Sequence, residues 1–230
     1  MPASHTSGRR RKDASLSREE IVRAAIEILE ESGETGLTFR MLSERLRSGS
    51  GAIYWHVSNR NELLDLACEQ VLANVATTND QKPIRELEAI RSIALSLFDN
   101  LDRHPWVGAR LPKSPGLHGT LRVLDRIGGL LDSYGVPAKR QFYVATAIVT
   151  YVMGVAAQMA DNAQSVTPGQ TQDEWLMEQS KRWEELDAER YPFLHATASD
   201  FRHHDDRSQF TVGLDLILLG IQRDVDSPGR

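Results

Sequence analysis

Residues 37–65 read LTFRMLSERLRSGSGAIYWHVSNRNELLD, and their punctuation sets the architecture. Thr38 is a good N-cap for a short helix whose apolar side is Phe39, Leu42 and Leu46. Arg47-Ser48-Gly49 interrupts it, and a second short helix follows over about residues 50–56. Ser58-Asn59-Arg60-Asn61 breaks the chain again, and either Ser58 or Asn59 can cap a further helix over about residues 61–77. Two short helices joined by a three- or four-residue turn make a helix-turn-helix, in which the second helix enters the DNA major groove and the first lies across it.

Upstream, Ser17 and Glu20 form a capping box, S-x-x-E, flanked by Leu16 and Ile21 at hydrophobic-staple positions. Ile21, Ala24, Ala25, Ile28 and Leu29 then recur at helical spacing, and Gly33 and Gly36 end the helix. Ile21, Ala25, Leu42, Leu46 and Ile53 form the expected small core of a three-helix head over residues 15–75, with the helix-turn-helix at about 38–57. Residues 1–14 are polar, small and basic (Arg9, Arg10, Arg11, Lys12), which predicts a disordered arm. That arm is either a solubilising tail or a minor-groove contact.

Downstream, residues 76–230 read as helices separated by turns. Helices are expected over about 83–103, 120–133, 138–162, 172–187 and 206–224. Residues 108–119 are rich in Gly and Pro and are expected to be irregular, and residues 164–171 form a loop. No segment alternates like a strand, so the fold class is all-α: a helix-turn-helix head and a larger helical body.

The 230 residues carry a net charge of −5. The first sixty hold ten Lys/Arg against eight Asp/Glu; the remainder holds seventeen against twenty-four. A slightly basic head on an acidic body suits a protein that meets phosphate at one end. One cysteine, Cys68, excludes an internal disulfide and fits a cytoplasmic protein; its helical setting suits a small core residue. The most apolar segment, residues 145–160, is shorter than the roughly 20 residues a membrane span needs, so no span is expected. Gly49-Ser50-Gly51-Ala52 lacks the strand and third glycine of a dinucleotide fingerprint, and no G-x-S-x-G, H-E-x-x-H or C-x-x-C occurs. The sequence therefore predicts no enzyme, no cofactor and no metal site.

The strings Leu37-Thr38-Phe39-Arg40 and Ala52-Ile53-Tyr54-Trp55-His56-Val57-Ser58-Asn59-Arg60-Asn61-Glu62-Leu63-Leu64-Asp65 resemble the TetR family, and its tetracycline-repressor branch in particular. The resemblance implies a ligand-responsive repressor that binds a palindromic, double-stranded operator as a homodimer. It implies that Arg40 reaches a guanine, where an arginine can bond O6 and N7 together. Ser50, Gly51 and Ala52 would face the groove closely, Tyr54 and Trp55 would lie against sugar and thymine, and Thr38, His56 and Arg60 would hold phosphate. Three of these have competing structural readings: Tyr54 as core, His56 as a solvated histidine, and Arg40 paired with Glu44 at i+4. The sequence departs from the family in the turn, where Arg47-Ser48 replaces glycine and an apolar residue. If the turn needs a positive φ, Arg47 carries strain that glycine would not.

A helix apolar all round is buried on more than one side. Residues 145–160 have that character, Leu214, Leu216, Ile217, Leu218, Leu219 and Ile221 make a second such surface, and the resemblance implies a four-helix dimer seam from helices over about 138–162 and 206–224. For the effector, Phe98, His104, Trp106, Arg110, Tyr143 and Trp175 are candidate lining of an apolar cavity that suits an aromatic or amphipathic molecule. Arg110 or Leu111 stands where the tetracycline repressor has a metal-holding histidine, which speaks against a tetracycline–magnesium ligand. His203-His204-Asp205-Asp206 has metal-capable chemistry, but adjacent residues rarely share one metal, and a solvated loop is expected.

Overall fold

The Ser17 hydroxyl accepts the Glu20 amide at 3.1 Å while the Glu20 carboxylate accepts the Ser17 amide at 2.8 Å, so the first helix starts where the capping box places it. In this computed structural model, which describes residues 16–73, 75–76, 85–114, 116–165 and 169–226, α1 covers Arg18–Gly36. The expected basic arm and residues 166–168 of the expected 164–171 loop lie outside the described residues. Ile21, Val22, Ala24, Ala25, Ile28 and Leu29 form the buried stripe of α1. Gly33 takes φ 64° and ψ −171°, which kinks the helix there rather than ending it. Helices α2 (Phe39–Leu46), α3 (Ser50–Tyr54) and α4 (Arg60–Leu72) follow. Leu42 and Ile53 are fully buried, whereas Leu46, expected in the core, is only half-buried.

Two compact units divide inside α4, between Ala67 and Cys68. The second is built from α5 (Glu86–Arg103), α6 (Pro105–Arg110), a 3₁₀ turn (Leu111–Lys113), α7 (His118–Tyr134), α8 (Ala138–Ser165), α9 (Gln172–Glu184), α10 (Pro192–Phe201) and α11 (Asp206–Asp226). Among the described residues there is no strand. One further expectation fails. Residues 108–119 are not wholly irregular, because Pro105 sits at N1 of a helix, where its missing N–H costs nothing. The same device at Pro192 starts α10, which the sequence reading had left out.

Helix α5 buries Ala89, Ile90, Ile93, Ala94, Leu97, Phe98 and Leu101 at i, i+3, i+4 spacing against α7 and α8. Phe210 of α11 is fully buried between Phe98 (rings 4.3 Å apart) and Tyr151 of α8 (5.4 Å). Gly213 permits this approach: a Cβ there would lie 2.1 Å from the Tyr151 hydroxyl. That hydroxyl donates to the Phe210 carbonyl at 3.1 Å, and its burial raises its pKa. By length and composition residues 138–162 of α8 could cross a membrane, further than the 145–160 segment suggested. Its Ile148, Val152 and Ala156 are instead buried in a helical core shared with α5, α6, α7 and α11. Phe142 and Tyr143 of α8 and Val212, Leu216 and Leu219 of α11 remain exposed.

Candidate DNA-reading surface and effector cavity

The head holds its reading helix by a few buried anchors. Thr38 caps α2 by accepting the Met41 amide at 3.2 Å. Arg47 ends α2 in the left-handed region, φ 49° and ψ 40°, and is the sole non-glycine residue with positive φ among those described. The turn thus does require the glycine-like conformation, and an arginine adopts it. Ile53 and Val57 bury the inner side of α3 and its exit. Ser50, Gly51 and Ala52 are exposed, Tyr54 is 54% exposed and Trp55 88%. Tyr54 is not core: its ring lies flat on Phe39 of α2 at 4.5 Å, so α2 and α3 present one rigid aromatic edge. His56 is half-buried. Arg40 is 88% exposed and pairs with Glu44 at 3.0 Å, an exchangeable i,i+4 contact.

Arg60, expected to hold phosphate, has partners within the head. Its Nε donates to the Leu37 carbonyl at 2.9 Å, Nη2 donates to the Glu34 carbonyl, and Nη1 lies 3.5 Å from the Glu34 carboxylate. It satisfies the orphan carbonyls at the end of α1, so its guanidinium braces the scaffold. Arg45, which sequence reading passed over, ties α2 to α1 through Glu31 and Glu27. Arg45 holds the Glu31 carboxyl below its ordinary pKa, and the Arg45 guanidinium is raised in turn. Asn59 rather than Ser58 caps α4, accepting the Glu62 amide at 2.9 Å. Glu62 reaches back to the Ser58 amide at 2.8 Å and to Arg18 at 2.8 Å; the Ser58 bond chiefly lowers its pKa. No local signal announces Arg45 or Arg60, because their partners depend on how the helices pack.

The second unit encloses a cavity of about 560 Å³, within the range of small-molecule sites. Of the six candidate residues only Trp175 lines it. Phe98 is spent in the core on Phe210, and Tyr143 is 71% exposed, edge-on to Phe142. Trp106 and Arg110 are buried off the cavity, and His104 meets Trp106 edge-on at 6.4 Å. The lining comes instead from Leu101, Met159, Trp183, Phe201, His204 and Asp206, among others. Trp183 stacks on Phe201 at 4.2 Å and Phe201 on His204 at 5.6 Å. Ser180 fastens α9 to α10, donating to the Ala198 carbonyl at 2.6 Å and accepting from Arg202 at 2.9 Å. His204 and Asp206 bond to each other at 3.0 Å and are half-buried, so residues 203–206 are not simply a solvated loop. Among the described residues no three His, Cys, Asp or Glu side chains gather as a metal site would need.

An exposed helix-turn-helix edge on one unit and a lined cavity in the other define a DNA-binding regulator of the ligand-sensing kind. Residues 87–225 match the family described as "Tetracyclin repressor-like, C-terminal domain". Among solved structures, the transcriptional regulator SCO7222, a TetR from Streptomyces coelicolor, is 38% identical with a TM-score of 0.78 over 91% of this chain and 99% of that one. The S. coelicolor TetR family protein ActR, in complex with actinorhodin, is 26% identical with a TM-score of 0.77, over 94% of this chain and all (100%) of that one. The tetracycline repressor protein class G of Vibrio anguillarum is 29% identical over 90% of this chain and 94% of its own length. An HTH-type transcriptional regulator of Saccharopolyspora erythraea is 34% identical over 44% of this chain, a match that spans 42% of that relative. The chain belongs to the TetR family of transcriptional regulators.

Proposed function

We propose that the protein represses transcription by gripping a palindromic operator as a homodimer, and that a small molecule in the body cavity releases it. One observation carries the first half: Arg40, Ser50, Gly51, Ala52, Tyr54 and Trp55 lie outward on one rigid helix pair with no core duty beyond the Tyr54–Phe39 stack. Arg40 can exchange Glu44 for a guanine edge at little cost, since an exposed pair contributes little. Thr38 and His56 hold phosphate. A single five-residue helix makes too few contacts for specificity, and a two-fold dimer doubles them. Phe142, Tyr143, Val212, Leu216 and Leu219 are the apolar surface such a dimer would cover, on α8 and α11. A filled cavity between α8, α9 and α11 favours a body conformation whose paired heads no longer fit the duplex, a population shift. The protein acts in the cytoplasm, where the operator is.

The test is a mobility shift on a palindromic promoter fragment across a salt series. Affinity should fall steeply and linearly on a log–log scale, because each neutralised phosphate releases counterions. Binding indifferent to salt would refute phosphate contact and with it the proposal.

A further inference from the structure

The cavity has an unbalanced charge. Asp102 and Asp206 line it, as do the neutral amides of Gln158, Gln172 and Gln209, but no Lys or Arg side chain does among the described residues. Two guanidinium groups of the adjoining segment are engaged elsewhere: Arg202 with Glu184 and Ser180, and Arg207 with Asp99. The walls add Trp175, Trp183 and Phe201, with Trp183 and Phe201 stacked. An aromatic face attracts a cation through its quadrupole, more strongly once water is excluded. A carboxylate in a partly enclosed, low-dielectric site likewise favours a ligand of opposite sign. An anion would meet two carboxylates and no fixed positive charge.

We propose that the effector is a flat aromatic cation, with its ring system against Trp175, Trp183 and Phe201 and its positive charge toward Asp206. The assignment rests on the reading of this cavity as the effector site and narrows it to one ligand class. His204 bonds Asp206 at 3.0 Å and lies against Phe201, so it positions the carboxylate beside the stacked rings. A cavity of about 560 Å³ accommodates a three-ring dye with substituents.

Two dyes that share the xanthene core and pendant phenyl separate the possibilities: rhodamine 6G, a cation, and fluorescein, an anion. Each is titrated into the full-length, DNA-free protein, followed by dye anisotropy and by quenching of tryptophan emission. Rhodamine 6G should bind saturably and at least about tenfold more tightly than fluorescein. Asp206→Asn, nearly isosteric, should remove most of that preference while the thermal midpoint stays near that of the parent. Trp183→Leu should weaken rhodamine 6G about tenfold as well; Asp102→Asn, at the exposed rim, offers a second charge variant should D206N fold poorly. Equal or tighter binding of fluorescein, weakened by W183L, would overturn the charge assignment and leave the sensor reading standing. Affinities for both dyes unmoved by D206N, D102N and W183L, or no saturable rhodamine binding, would overturn the proposal; unmoved affinities would also place ligand binding outside the cavity and so break the sensor reading.

Discussion

The head and the body deploy their aromatic side chains in opposite ways. In the head, Tyr54 rests on Phe39 and Trp55 stands almost free in solvent, so the rings form an outward edge fixed by Ile53 and Leu42 beneath. In the body, Trp183, Phe201 and His204 stack on one another around a space, while Phe98, Phe210 and Tyr151 stack with no space at all. In the proposed role the head presents this surface to duplex DNA, a rigid partner that needs a fixed template. The body encloses a volume that a ligand could occupy in the proposed role, beside a packed Phe98–Phe210–Tyr151 layer that leaves no space. Recognition surface and sensor thus differ less in composition than in whether the rings face outward, inward to a void, or inward to each other.

Emptying the solid Phe98–Phe210–Tyr151 layer should have the largest effect. Phe210→Ala should cost about 3–5 kcal/mol in chemical denaturation, because both of its stacking partners lose a face and the cavity left cannot collapse. A loss under 1 kcal/mol would mean the layer is not the body's core. In the head, Ile53→Ala should cost about 2–4 kcal/mol and abolish operator binding, while rhodamine binding by the body persists. Gly213→Ala probes the approach of α8 to α11: the added methyl must displace the Tyr151 ring, and a loss of about 1–3 kcal/mol is expected. Arg40→Ala should leave stability unchanged and cost about 1–3 kcal/mol of binding at one base position. Equal loss on every sequence would make Arg40 a phosphate contact instead.

Smaller effects sharpen the picture of the head. Arg47→Gly should stabilise it by up to about 1 kcal/mol, since the left-handed conformation strains any side chain whereas glycine loses only chain entropy. The carboxyls of Glu20, Glu31 and Glu62 are each held below their ordinary pKa, through the Ser17 amide, Arg45 and the Ser58 amide respectively. Their folded-state values lie below the unfolded ones, so folding favours the charged form. The stability they contribute is therefore present above the ordinary glutamate range and is lost as pH falls through the lowered values. Acid titration of head circular dichroism should show Glu62→Gln flattening the low-pH limb of the stability curve; an unchanged limb would count against the α4 cap.

How far the sequence carried differs between the two units for a physical reason. Head boundaries rest on neighbours in the chain: Ser17 with Glu20, Thr38 with Met41, Asn59 with Glu62. Such signals survive in a linear reading, and even the left-handed turn at Arg47 was foreseeable from the glycine it replaces. The bracing bonds of Arg60 were not legible because its partners, Leu37 and Glu34, are distant in the chain. The cavity draws on residues from 101 to 209, so no local pattern marks it. Composition alone cannot tell Phe98, a core ring, from Phe201, a wall ring. Helices α6 and α10 each open on a proline, Pro105 and Pro192, at a position where its missing N–H costs nothing, a start signal that apolar periodicity does not carry.

In the proposed function α3 is displayed in duplicate at a spacing the duplex accepts. Selection of bound DNA from a random pool by the full-length protein measures this directly. The account predicts enrichment of two inverted half-sites, with Arg40→Ala relaxing one symmetric pair of positions. Enriched sequences without two-fold symmetry, or no enrichment over the starting pool, would contradict it.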